Sequence, residues 1–163
     1  MSTWSKPNVG SVKVNVKGVF KRSQMRSAVA CVIRDSDGQW VRGCKSMIGL
    51  AVSITAAMWS IFYGLKLAWE HQDKSVLVES DCEEAVNLVL NPNPDFEMYE
   101  LICMINNIMS ESWVLCELIY ILSSANIAVA ALANNAISDD GGIDELTVLP
   151  SIIRPILAAE KMA

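Results

Sequence analysis

Histidine is nearly absent from this chain: His71 is the only one among 163 residues. One imidazole with no acidic or nucleophilic neighbour in a recognisable pattern offers neither a zinc-type cluster nor a catalytic dyad. Cys31, Cys44, Cys82, Cys103 and Cys116 are widely spaced and include no C-x-x-C pair. An odd, scattered set reads as packed, reduced thiols rather than disulfides or metal ligands. No apolar run approaches the ~18 residues of a membrane span, and residues 1–10 lack the basic-then-apolar order of a signal peptide. The expectation is an intracellular protein, cytoplasmic or nuclear, with no membrane partner. Basic residues are outnumbered as well: 13 Lys and Arg face 18 Asp and Glu, for a net charge of −5. Such a balance removes the long-range pull on phosphates that nucleic-acid binders commonly use.

Apolar side chains are what the chain has in surplus. They make up 52% of it, with eight Met and five Trp, against roughly 45–50% in ordinary domains. The excess must lie in a core or at an interface. Residues 12–20 alternate, with Val12, Val14 and Val16 opposite Lys13, Asn15 and Lys17, the period of a half-buried strand. A second strand is expected over 28–34 and a third over 40–48. Between them Asp35-Ser36-Asp37-Gly38 carries an Asp-Gly hairpin signal. Over 54–71 the apolar period changes to three and four, through Ile54, Ala57, Met58, Ile61, Leu65 and Ala68, which marks an amphipathic helix.

A short strand at 76–78 follows. Ser80 or Asp81 is then expected to cap a helix with Glu83 and Glu84 in its first turn, ended by Asn91-Pro92-Asn93-Pro94. A helix over 96–110, an apolar buried strand over 114–122 and an Ala-rich helix over 125–137 complete the order β-β-β-α-β-α-α-β-α. This is an α/β arrangement: a mixed five-stranded sheet, three antiparallel strands then helix-connected strands, flanked by helices. Residues 12–138 form the expected domain, 1–11 a lead-in and 139–163 a tail with a short terminal helix.

Several fragments in register carry a resemblance. They are Lys6-Pro7 with Gly10, Lys13-Val14-Asn15-Val16-Lys17-Gly18, Val32 to Gly38, Gly64-Leu65-Lys66-Leu67-Ala68-Trp69-Glu70, Val78-Glu79-Ser80-Asp81, and Ala125-Asn126 through Ala131-Leu132-Ala133. Over roughly residues 4–137 the chain resembles plant ribonuclease H-like domains related to the RNase H of retroelement reverse transcriptases. That family hydrolyses the RNA strand of an RNA–DNA hybrid with two divalent ions, which need several carboxylate oxygens. The resemblance places its four metal-binding acids at Lys17, Ala57, Asp81 and Ala130, so only Asp81 is still acidic. Lys17 would repel a metal and is expected to lean onto Asp81 as an internal ion pair. Ser123-Ser124 replaces a common Arg-Glu, Ile127 a polar or basic residue, and Ala28 and Ala30 two glycines.

Most other tempting residues have plainer roles. Asp81 alone fits a helix cap better than a metal ligand, and Asp35 and Asp37 suit a turn. His71 suits a helix C-terminus, and Glu79 a structural or surface place. No catalytic residue, metal or cofactor is therefore expected. The leading expectation is a catalytically inactive ribonuclease H-like pseudoenzyme used for protein interaction, with an unidentified partner or as a homodimer. The alternative is a non-cleaving reader of hybrid or duplex RNA, for which Lys21, Arg22 and Arg26 are the weak basic candidates. Least favoured is an active nuclease rebuilt on Glu79, Asp81, Glu83 and Glu84.

Overall fold

The computed structural model describes residues 3–162. Strands β1 (Val12–Lys21), β2 (Arg26–Arg34) and β3 (Trp40–Gly49) form the expected antiparallel meander. At its second turn the Asp35 carboxylate accepts the amides of Asp37 and Gln39, both at 3.0 Å. Gly38 there supplies the left-handed backbone, at φ +79°. Helix α1 (Ser53–Glu70) then leads to β4 (Ser75–Ser80), which pairs parallel with β1. Helices α2 (Glu83–Leu90) and α3 (Tyr99–Met109) connect to β5 (Leu115–Tyr120), parallel to β4. After a 3-10 turn at Ser123–Ala125 come α4 (Ile127–Ala136), β6 (Asp144–Leu146) and α5 (Arg154–Lys161).

The sheet order is β5-β4-β1-β2-β3-β6. Among the described residues six strands are present where five were expected. The sixth is three residues long, pairs antiparallel with β3 through Gly43, Cys44 and Lys45, and is too short to show a period of two in the sequence. Two helical layers cover the sheet. Val14, Val16, Cys31, Ile33 and Cys44 face α1, α2 and α3 in the main core, while Ala30 and Val32 meet α4 and α5 on the other side. Sandwiched between both layers, β2 is buried from Ser27 to Arg34.

β5 is not the buried strand its apolar sequence suggests. It is the last strand of the sheet, and of its six residues only Leu118 is fully buried. Strand order, which local composition does not encode, puts it at an open edge.

Two glycines set how closely α1 approaches β1. A Cβ on Gly18 would fall 2.2–2.5 Å from the backbone of Ala56 and Ala57, and one on Gly64 would fall 2.6 Å from Val16. The first turns of α1 can therefore lie directly on the end of β1, beside Lys17.

Candidate functional site

β1 and β4 run parallel, with Val16 paired to Ser80 at the end of their ladder. Lys17 and Asp81 are the next residues along, so the topology itself sets them side by side. The Lys17 ammonium donates to both Asp81 carboxylate oxygens, each at 2.9 Å. Asp81 is almost fully buried, while Lys17 keeps about a quarter of its side chain exposed, at 26%. The expected internal ion pair is present.

This pairing also explains why the expected cap on α2 is missing. The N-cap is Cys82, with no side-chain capping bond. The Asp81 carboxylate is held by Lys17, and the Ser80 hydroxyl accepts the Cys82 amide at 3.2 Å, two residues on, in a local turn outside the helix.

Lys17, Ala57 and Asp81 line one open depression of about 370 Å³, together with Lys21 and Asn134. Ala57 contributes a nearly buried methyl from α1. Ala130 lies one turn before Asn134 on α4, and the Asn134 side-chain amide donates to the Ala130 carbonyl at 2.9 Å. Four elements thus bring the four compared positions to one end of the sheet. The charged groups in the depression are two lysines and one carboxylate whose oxygens are both engaged. That donor set does not fit a divalent ion, which needs several free carboxylate oxygens.

The basic candidates separate. Lys21 reaches the depression, Arg22 is exposed in the β1–β2 turn, and Arg26 donates to the Ile137 carbonyl at 3.2 Å at the end of α4. Ser123 is exposed and Ser124 half-buried in the 3-10 turn, and Ile127 is half exposed at the start of α4. Ala28 and Ala30 are buried, with Ala28 against Ala136 and Ala30 against α4. Glu79, Glu83 and Glu84 do not join Asp81: Glu79 points into the buried layer described next, and the other two sit on the first turn of α2. His71 ends α1, with Nε2 3.6 Å from Glu145.

A buried polar network behind the site is absent from the sequence reading. Asn15 accepts from the Trp4 indole and donates to Glu79 and to Asn126, all at 3.0 Å. Asn126 donates in turn to the Val16 carbonyl, tying the start of α4 to β1 next to Lys17. Lys13 lies 3.2 Å from Glu79 and donates to the carbonyl and hydroxyl of Ser5. The Arg34 guanidinium stacks 3.7 Å from the Trp4 ring and pairs with Glu160 of α5 at 2.8 Å. The available clue was that β1 lies in the middle of the sheet, so its polar face must also be covered. Asn134 was missed too, one helical turn beyond the compared acid position.

A mixed sheet in this order, with a meander of three strands and helices on both faces, defines a ribonuclease H-like α/β domain. The family model described as "Reverse transcriptase-like" matches residues 15–136, and the chain belongs to that family. It is 28% identical over 163 residues to an Arabidopsis thaliana protein named "Putative ribonuclease H protein". The match takes in 99% of this chain and 26% of that relative, so the chain spans about a quarter of the relative's length.

Among solved structures, the RNase H1 of the halophilic archaeon Halobacterium salinarum superposes with a TM-score of 0.72 at 17% identity, over 80% of this chain and 99% of that one. LC11-RNase H1, solved in complex with an RNA/DNA hybrid, gives 0.69 at 20% identity over 77% and 96%. The N-terminal RNase H domain of a Mycobacterium tuberculosis protein gives 0.70 at 16% identity over 78% and 93%. At these identities the likeness is one of fold. Among the described residues no helix is long and apolar enough to cross a membrane.

Proposed function

We propose that this chain is a ribonuclease H-like domain without hydrolytic activity, used as an association module. The observation that carries the reading is the Lys17 ammonium 2.9 Å from both Asp81 oxygens, at the position where the family resemblance places metal-binding acids. A cation is built into the chain there, so the carboxylate is neutralised without a metal. Two unit charges ~4 Å apart attract by ~4 kcal/mol at an effective dielectric near 20, and desolvation offsets much of it. The sign is what matters for function. With alanine at positions 57 and 130, a divalent ion entering the depression meets two lysines and a single occupied acid.

The association role is supported by the open β5 edge. Leu115 and Tyr120 are exposed there, flanked by exposed Val114, Leu122 and Ile127, and Glu117 is the one charge within the strand. Edge strands are normally guarded by charged side chains, Pro or bulges, and Glu117 is the one charge that guards this strand. A second copy of the chain, pairing edge to edge about a two-fold axis, is the simplest occupant. The likeness to an Arabidopsis protein supports a plant, retroelement-derived origin.

One observation favours a second reading. Lys17 and Lys21 line the same depression, and a fold shared with a hybrid-bound RNase H1 suits a non-cleaving reader of RNA–DNA hybrid. A titration of labelled hybrid at low salt with Mn²⁺, followed by anisotropy and by gel, separates these readings. The control is the triple variant Lys17→Asp, Ala57→Glu, Ala130→Asp. Neither binding nor cleavage by the wild type, under conditions where the folded variant binds, is the expected outcome. Binding without cleavage would establish the reader, and cleavage would overturn both readings.

A further inference from the structure

Cys31 and Cys44 stand directly opposite each other on the antiparallel strands β2 and β3. Their sulfurs are 3.2 Å apart, joined by a thiol–thiol hydrogen bond. Directly opposed residues of an antiparallel pair have Cα atoms about 4.5–5.5 Å apart, inside the roughly 4.4–6.8 Å range that disulfides span. Closing a bond therefore needs side-chain rotation and no displacement of the sheet. The other three cysteines lie elsewhere, Cys82 at the start of α2, Cys103 on α3 and Cys116 on β5.

The two thiols are not equivalent. Cys31 is sealed between the sheet and α1, with no exposed surface. Cys44 is 2% exposed, but it forms part of the wall of an open groove of about 320 Å³ with Tyr63, Lys66, Glu70, Ile143 and Glu145. A groove of that size admits molecules as small as water or a peroxide. The Cys31 thiol is pushed well above its ordinary range, first by the hydrogen bond it shares with Cys44 and then by burial. A thiol held protonated in this way is a poor first nucleophile.

We infer that Cys31 and Cys44 form an oxidisable dithiol, a modification site at which a peroxide-class oxidant closes an intrachain disulfide between β2 and β3. Cys44 is the first to react. Its sulfur bonds to one peroxide oxygen as the O–O bond breaks, giving a sulfenic acid and one water. The Cys31 sulfur then attacks the Cys44 sulfur. The S–S bond forms, the S–O bond breaks, and the departing hydroxyl takes up the Cys31 proton as a second water. Two thiols lose two electrons in total, and the peroxide is reduced to two waters. This site is independent of the depression around Lys17 and would operate under either reading of the domain's function.

The test treats the folded protein with hydrogen peroxide and then counts free thiols after denaturation. From five thiols the count is expected to fall by two, with a mass loss of about 2 Da and a non-reduced peptide linking residues 31 and 44. The oxidised form should melt roughly 6–10 °C higher than the reduced one, because the unfolded chain is cross-linked. In Cys31→Ser, Cys44 should instead stop at a sulfenic acid that dimedone traps. A linkage between other cysteines, or a Cys44 sulfinic acid with Cys31 still free, would overturn the inference. Refolding in a glutathione redox buffer removes the matter of access: a native fold that retains all its thiols there would also overturn it.

Discussion

Two lysine–carboxylate pairs join the same two strands, β1 and β4, and have opposite consequences. Lys13 and Glu79 meet beside Trp4 and Ser5 of the chain's first residues, with 7% and 6% of their side chains exposed. Both members are bonded further: Ser5 takes the ammonium, Asn15 donates to the carboxylate, and Asn15 in turn bonds Trp4 and Asn126. Lys17 and Asp81, one step past the end of the ladder, have mainly each other and open onto a depression. The inner pair binds the chain's first residues and α4 to the sheet. The outer pair occupies the place where the fold's resemblance puts chemistry. Burial within a shared hydrogen-bond network turns charge into architecture, whereas a pair at the rim changes what the surface can hold.

The largest effect expected from this comparison is at the inner pair. Glu79→Leu leaves a buried ammonium without its acid and an Asn15 donor without its acceptor. It should cost about 3–5 kcal/mol in urea unfolding. Lys17→Met comes next, at about 1–3 kcal/mol, because Asp81 is left nearly buried with no counter-charge while its exposed side still reaches water. Replacing both members, Lys17→Met with Asp81→Leu, should return stability to within about 1 kcal/mol of the wild type. A double-mutant cycle over the four proteins reads the coupling directly. The smallest effect is at the exposed Lys66–Glu70 pair, 3.1 Å apart and four residues apart on α1. Lys66→Ala should cost no more than about 0.5 kcal/mol. If Lys17→Met proved as costly as Glu79→Leu, the distinction between the two pairs would collapse.

How much of this could be read in advance follows from which residues carry it. The meander, the Asp35 turn, α1 and the Lys17–Asp81 pair depend on local periods and on register with a family, and all were legible. Lys13, Asn15 and Glu79 were not, because a period of two looks the same whether the polar face meets water or a second helical layer. β5 was misread because its apolar run speaks of propensity, while its place at the edge is decided by strand order. The cap expected at Ser80 or Asp81 failed for a different reason: a carboxylate cannot both close a helix and hold an ammonium brought in by a parallel strand. β6 is held by pairing with β3 rather than by its own three residues. Ala57 and Ala130 carry no signal of their own and acquire meaning only by position.

The proposed function rests on Lys17 standing at the Asp81 carboxylate where a metal ion would otherwise bind. Calorimetric titration of the folded protein with Mn²⁺ tests it most directly, with the Lys17→Asp, Ala57→Glu, Ala130→Asp variant alongside. The account predicts no saturable binding by the wild type at millimolar Mn²⁺ and binding by the variant. Saturable binding by the wild type that disappears in Asp81→Asn would contradict it.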